Sequence, residues 1–203
     1  SSMPFAIHQA APCPVSVKER MIEWWGPVLY ELYGGSEGNG TTQINSREWL
    51  THKGSVGRPS KGIEIHIVDE NGEECPPNQP GLVYFGNGRQ FEYLGDPEKT
   101  TSVRHPKGWS TLGDIGYLDD DGYLYLTDRQ SNMIISGGVN IYPQEAENVL
   151  AGHPQILDVA VIGVPNPDFG EEVKAVVVTK GKRPEGESAE ALAREIIAYC
   201  RER

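Results

Sequence analysis

Short apolar runs, each closed by a turn bearing glycine, proline or aspartate, fill this chain as far as Asp128, and runs of that length favour strands over long helices. Ile63-Glu64-Ile65-His66-Ile67 alternates with period two, and Asp69-Glu70-Asn71-Gly72 closes it as a hairpin turn. Leu82-Val83-Tyr84-Phe85 is a further strand, ahead of a long polar loop through Asp96-Pro97-Glu98. Tyr117-Leu118 and Tyr123-Leu124-Tyr125-Leu126 flank the turn Asp119-Asp120-Asp121-Gly122 as a second hairpin. Nearer the start, Val28 to Tyr33 forms a buried strand that enters the turn Gly34-Gly35-Ser36-Glu37-Gly38. Val15 to Trp25 departs from the pattern: Val17, Met21, Ile22 and Trp25 share one side of an amphipathic helix. This part is mainly antiparallel β.

The character changes after Arg129. Met133-Ile134-Ile135 and Val139-Asn140-Ile141 flank Ser136-Gly137-Gly138 as a short hairpin. Pro143 suits the first turn of a helix that ends near Gly152. Val159 to Val164 and Lys174 to Val178 are strong strands. Ser188 is a good N-cap, with Glu187 and Glu190 at the positive end of the helix that continues through Tyr199. The expected fold is mixed α and β: a β-rich part over residues 1–129 and a small α+β unit over 130–203, with the boundary near Arg129 to Ser131. The chain opens on Ser1-Ser2-Met3-Pro4, without a start methionine, and its last helix runs to Arg203 with no glycine, asparagine or proline to end it. A piece of a longer protein is the expectation.

The 203 residues allow one large domain or two small ones. With 24 glycines and 15 prolines the chain is turn-rich, yet below the roughly 25–30% that marks low-complexity sequence. Twenty-nine acids against 18 bases give a net charge of −11, which disfavours nucleic acid and anionic membrane as partners. No apolar stretch approaches the ~20 residues of a transmembrane segment, and no signal-peptide core opens the chain. Cys13, Cys75 and Cys200 are far apart and lack metal-ligand spacing, which points to a reduced, cytoplasmic compartment.

Three motifs invite sharper chemistry. A calcium loop with Gly122 as its sixth residue would begin at Tyr117, which has no carboxylate, so a solvated turn is preferred. The histidines (His8, His52, His66, His105 and His153) show no paired spacing for zinc. Gly34-Gly35-Ser36-Glu37-Gly38 fits the G-x-S-x-G nucleophile elbow of a serine hydrolase, but the elbow needs a helix directly after it. Asn39-Gly40-Thr41-Thr42-Gln43-Ile44-Asn45 lacks helical periodicity. The same loop suits a phosphate cradle, with backbone N–H groups and the Ser36 hydroxyl toward an anion and Glu37 toward Mg²⁺. From this segment alone, the cradle and a ligand-free turn stand even.

Other segments break the tie. After Tyr33-Gly34-Gly35-Ser36-Glu37-Gly38 come Gly54-Ser55-Val56-Gly57-Arg58-Pro59-Ser60-Lys61-Gly62 and Gly108-Trp109-Ser110-Thr111-Leu112-Gly113-Asp114. Asp121-Gly122-Tyr123-Leu124-Tyr125-Leu126-Thr127-Asp128-Arg129 follows, then Ile134-Ile135-Ser136-Gly137-Gly138-Val139-Asn140-Ile141-Tyr142-Pro143-Gln144-Glu145. In that order the set resembles the adenylate-forming superfamily of acyl-CoA synthetases, luciferases and peptide-synthetase adenylation domains, with the closest likeness to fatty-acyl and aryl-CoA ligases. The likeness covers nearly all of this chain but only the latter part of such an enzyme.

The resemblance implies an activity and a set of roles. A carboxylic acid attacks the α-phosphate of ATP to give acyl-AMP and pyrophosphate, and a small domain then swings so that CoA can take the acyl group. Ala10-Ala11-Pro12 would lie beside the adenine and Tyr33 against the base, with Gly34 and Gly35 near phosphate. Ser36 would bond phosphate and Glu37 would hold Mg²⁺, which makes these two the catalytic candidates. Asp114 would accept from the ribose hydroxyls, Arg129 would meet ribose or phosphate, and Leu126 joins the nucleotide-binding set. Gly137 and Gly138 would line the pantetheine tunnel of CoA, and Ser131 would be the hinge. Taken singly, Asp114 is a solvated turn carboxylate, Trp109 and Tyr117 are core, and His8, Trp24 and Trp25 fit either an acid pocket or core.

There are departures. The family's usual threonine is Ser36 here, and its usual hinge Asp or Lys is Ser131, next to Asn132. Neither a Ser/Thr/Gly-rich loop ending in Lys-Gly nor the late Gly-Lys that promotes adenylation occurs in the chain. The expected function is part of an ATP- and Mg²⁺-dependent acyl-CoA synthetase, inactive by itself. An adenylation domain loading a carrier protein and a non-catalytic nucleotide-binding module are the alternatives, followed by a serine hydrolase.

Overall fold

The computed structural model describes residues 4–202. Ser1–Met3 and Arg203, on which the reading of the chain ends rests, lie outside the described residues. One compact unit extends to Gln130 and a second begins at Ser131.

The first unit holds two four-stranded sheets. Strands β1 (Ala6–His8), β2 (Leu29–Gly34), β3 (Thr41–Asn45) and β4 (Arg58–Pro59) lie in chain order in one of them. β1 and β2 run parallel, joined by helix α1 (Val15–Trp25), because a parallel pair needs a crossover connection. This pair is the exception to the antiparallel expectation. The other sheet is a meander of β5 (Glu64–Val68), β6 (Gly81–Gly86), β7 (Ser110–Leu118) and β8 (Leu124–Arg129), antiparallel throughout. Ile22, Leu29, Ile44, Trp49 and Tyr123 form one buried cluster, and Val56, Ile67, Val83 and Leu124 another.

Several expectations need correction. Val17 is 46% exposed, while Lys18 is buried in its place. Its ammonium pairs with the Glu31 carboxylate and lies 4.6 Å from the centre of the Trp49 ring. β2 is therefore not uniformly buried: Leu29 and Glu31 face inward and Tyr30 outward. Trp24 is not core, at 76% exposure. The turn at Asp69–Gly72 returns the chain only as far as an isolated Val68–Glu74 bridge, and the true partner of β5 is β6. Two short helices escape the periodicity argument. Helix α2 (Ser46–Thr51) is started by a capping box, in which Asn45 accepts from Glu48 N–H and Glu48 reaches back to Asn45. Helix α3 (Pro97–Ser102) lies inside the expected polar loop, with the Asp96 side chain capping Lys99 N–H.

The second unit is one sheet in the order β10 (Val139–Ile141), β9 (Ile134–Ser136), β12 (Gly170–Thr179), β11 (Ile156–Asn166). Helices α4 (Pro143–Leu150) and α5 (Glu187–Arg201) contribute Leu150, Leu192 and Ile196, which pack with Ile156 of β11. The N-cap of α5 is Gly186, at φ +53°, and not Ser188. Ser188 sits inside the first turn and donates its hydroxyl to Glu185 O at 2.7 Å.

Candidate functional site

The loop leaving β2 lies flush on the second sheet because glycine stands at its closest approaches. A Cβ on Gly35 would stand 2.8 Å from Leu112 Cδ2, and one on Gly40 would collide with the buried Phe85 ring. Asn39, fully buried, ties the loop to β7 through Ser110 O at 3.3 Å and Ser110 Oγ at 3.0 Å. The chain then turns into β3, antiparallel to β2 with Gly34 opposite Thr41. A strand thus follows the loop where a nucleophile elbow would require a helix.

Seating the loop in this way brings Tyr33 to β7. Its hydroxyl donates to Asp114 Oδ2 at 2.6 Å. Asp114 faces Arg129 across the β7–β8 ladder, and Arg129 Nε donates to Asp114 Oδ1 at 3.2 Å. The carboxylate is buried, at 6% exposure, which overturns the reading of Asp114 as a solvated turn residue. Burial, then the charge of Asp114 and the hydrogen bond to it, push the Tyr33 phenol far above its ordinary range, so Tyr33 remains a donor. Each Asp114 oxygen has one protein donor and can accept another, which suits a pair of neighbouring hydroxyls. Leu126 is half-buried in the cluster that also takes in Tyr33. Ala10-Ala11-Pro12 is exposed after β1, and Ala10 adopts φ +73°, a strained conformation for a residue with a Cβ.

Ser36 and Glu37 occupy the tip of the turn, which Gly38 N–H closes onto Gly35 O at 3.1 Å. Tyr93 donates to Glu37 Oε1 at 2.9 Å, and Ser36 Oγ lies 3.4 Å from Oε2. Partial burial raises the Glu37 pKa, but hydrogen bonds from its own backbone N–H, Tyr93 and Ser36, helped by the Lys99 charge, outweigh this and hold the carboxyl below its ordinary value. A cleft of about 620 Å³ opens here, lined by Ser36, Glu37, Arg89, Phe91, Tyr93 and Arg104 among others. Among the described residues no cluster of three or more His, Cys, Asp or Glu side chains forms a cation cage. A single ionised carboxylate at a cleft fits an Mg²⁺ whose remaining ligands come from water and substrate phosphate.

Gly137 and Gly138 form the turn between β9 and β10, at φ +58° and +81°, and Gly137 N–H donates to Phe169 O at 2.8 Å. Ser131 lies in a 3₁₀ turn over Gln130–Asn132, with its hydroxyl 3.3 Å from Asn132 Oδ1. His8 faces the Lys18–Glu31 pair, with Nδ1 3.5 Å from Glu31 Oε1. Trp25 is partly buried against the first cluster of the β1–β4 side. Sequence reasoning missed Tyr93, Arg89 and Arg104, which lie in the stretch taken for a polar loop. The Asp96-Pro97 helix start was the available signal.

Comparison with known proteins decides the family. The sequence pattern of the AMP-binding enzyme matches residues 1–91, and that of the AMP-binding enzyme C-terminal domain matches residues 145–203. The chain belongs to the AMP-binding enzyme family. A long-chain-fatty-acid–CoA ligase of Bacillus subtilis is 37% identical, a match covering 98% of this chain and 36% of that ligase. A feruloyl-CoA synthase of an Amycolatopsis species is also 37% identical, over all of this chain and 40% of the synthase. The structure of Bacillus subtilis o-succinylbenzoate CoA synthetase (MenE) with its acyl-adenylate intermediate matches with a TM-score of 0.82 at 30% identity, over 97% of this chain and 39% of that one. MenE is also known in complex with ATP and a magnesium ion. The chain thus spans well under half the length of these AMP-binding enzymes, and its mixed α and β architecture is theirs.

Proposed function

We propose that the whole protein is an acyl-CoA synthetase, an ATP-dependent acid–thiol ligase acting on a fatty or aromatic carboxylic acid in the cytoplasm. The carboxylate attacks the α-phosphate of ATP, pyrophosphate leaves, and the CoA thiol then displaces AMP from the acyl-adenylate. The observation that carries this reading is the Tyr33–Asp114–Arg129 assembly, in a chain 37% identical to a fatty-acid–CoA ligase. A lack of any helix long and apolar enough to cross a membrane, among the described residues, is compatible with it.

Asp114 takes the ribose hydroxyls, which are short of acceptors once they leave water. Arg129 holds that carboxylate turned toward the nucleotide, and Tyr33 presents its ring to the base while its hydroxyl anchors Asp114. Ala10, Ala11, Pro12 and Leu126 complete the adenine side, and Gly34 and Gly35 let backbone approach phosphate. Ser36 donates to a phosphate oxygen. Glu37 holds Mg²⁺, which when bound offsets phosphate charge during transfer. Gly137 and Gly138 leave a slim passage for the pantetheine arm, and Ser131 is the hinge between a large-domain portion, 1–129, and a small domain, 130–203.

Acid-dependent exchange of pyrophosphate into ATP by the whole protein, across a panel of fatty and aromatic acids, is the test. No exchange with any acid, and no thioester with CoA, would sink the ligase reading. The 203-residue chain by itself is expected to show no exchange, because the lysine-bearing phosphate loop is not in it. Exchange by that chain would overturn the assigned roles.

A further inference from the structure

We propose that Tyr93 is a positioning residue for Glu37, and that α3 is the brace holding Tyr93 in place. The proposal rests on the reading of Glu37 as the residue that holds Mg²⁺.

Glu37 stands on a glycine-flanked turn, with Gly38 at φ +69°, so the backbone gives its side chain little support. A flexible carboxylate on such a turn holds one orientation only if something bonds it. Tyr93 does so, donating from a rigid ring to Oε1 at 2.9 Å. The ring is itself fixed from several sides. Tyr93 N–H donates to Thr100 Oγ1 at 2.9 Å, and the buried Thr100 hydroxyl donates to Asp96 O at 2.9 Å. Lys99 places its ammonium 4.3 Å from the ring centre, and Phe91 meets the ring edge-on at 5.4 Å. Asp96 starts α3, accepting from Lys99 N–H at 2.9 Å, and so determines where both Lys99 and Thr100 stand.

The bonds form one chain: Asp96 orders α3, α3 orders Tyr93, and Tyr93 orders Glu37. Oε1 is committed to the phenol, while Oε2, 3.4 Å from Ser36 Oγ, is the oxygen left for a cation. Partners that bond a metal-holding carboxylate from behind tune its affinity without touching the metal. Tyr93 has that place here.

The test uses the whole protein and compares binding of ATP with Mg²⁺ to binding of ATP in EDTA, by calorimetry. In Tyr93→Phe, Mg·ATP binding should weaken about tenfold, the usual size for loss of such an outer partner, with binding in EDTA and the melting temperature unchanged. In pyrophosphate exchange, the Mg²⁺ concentration for half-maximal rate should rise by a similar factor, with the rate at saturating Mg²⁺ retained. Unchanged Mg·ATP binding would overturn the proposal. Equal losses with and without Mg²⁺ would also overturn it, since they mark a general structural role.

Glu37→Gln separates the layers of the argument. If that variant binds Mg·ATP like wild type, Glu37 does not hold the metal and the positioning role falls with it. If metal-linked ATP binding depends on both Glu37 and Tyr93 but no acid supports exchange, the ligase reading fails and the positioning role stands.

Discussion

At Gly34, Gly35 and Gly40 a methyl group has no room, whereas at Gly138 it has room but the wrong backbone. Gly34, Gly35 and Gly40 have ordinary φ, yet a Cβ at each would strike Gly40 O, Leu112 or Phe85 respectively. Gly138 has nothing within 4 Å of its would-be Cβ, but its φ is +81°. Packing imposes the first requirement, from a distant part of the chain at Gly35 and Gly40 and from the loop's own return at Gly34, and the geometry of a two-residue hairpin turn imposes the second. Both turns carry proposed ligand-binding residues, so different substitutions should break them.

Gly40→Ala should have the largest effect. The added methyl meets Phe85, which is 1% exposed and cannot step aside, so the loop must lift from β6. A cost of about 3 kcal/mol, the upper end for overpacking, is expected. Hydrogen-exchange protection of the β2–β3 hairpin in the whole protein would report it. Native-like protection in this variant would mean that crowding is not what demands glycine there.

Asp114→Ala comes next and probes what the seated loop achieves. It leaves the Tyr33 hydroxyl and Arg129 without their shared acceptor and removes the proposed ribose contact. AMP affinity should fall by about 1.5–3 kcal/mol, the range for hydrogen bonds to a charged group. Wild-type AMP affinity in a folded variant would remove Asp114 from the nucleotide site.

Gly138→Ala should be milder, costing about 1–2 kcal/mol for a left-handed residue with a Cβ. AMP affinity should not change. Gly138→Asn should recover part of the loss, because asparagine tolerates this conformation better. If asparagine is as harmful as alanine by thermal melting, backbone conformation is not the reason for glycine at this turn.

The same contrast explains how far the sequence could be read. The Gly137–Gly138 hairpin is local: flanking triplets rich in β-branched residues and two glycines suffice, and strands Ile134–Ser136 and Val139–Ile141 follow. Helix α1 is legible in extent, because its period lies within eleven residues. Its buried face is not, because Lys18 is drawn inward by Glu31, thirteen positions away on another element. Helix α3 has no apolar period at all; Pro97-Glu98-Lys99-Thr100-Thr101-Ser102 is held by a cap and by Tyr93. The local cue at Ser188 gives way to Gly186, whose positive φ starts α5 earlier. For the site, motif order named Tyr33, Asp114 and Arg129 as candidates, but only the fold shows that the three side chains meet on one carboxylate. Tyr93 lacks any motif, and its link to Glu37 spans 56 positions.

The smallest predicted effect concerns pH and separates the two turns without a mutation. The Glu37 carboxyl is held below its ordinary value, so its charged form is favoured in the folded protein. The sign follows: the stabilisation is fully present above the unfolded value, about 4.3 for glutamate, and is lost as pH falls through the lowered folded value. Protonation would replace charge-assisted hydrogen bonds from Tyr93 and from its own backbone N–H by weaker ones to a neutral carboxyl, loosening the turn at Gly35 and Gly38. By contrast, the turn at Gly137 is fastened by a backbone bond to Phe169 O, which does not titrate. In whole protein labelled with ¹⁵N-glycine, the Gly35 and Gly38 amides should shift with a midpoint below the ordinary glutamate value. Gly137 and Gly138 should remain flat over the same range. A midpoint at or above the ordinary value would show that burial of Glu37 outweighs its hydrogen bonds, and movement of Gly137 in parallel would show that the acid response is not confined to the Glu37 loop.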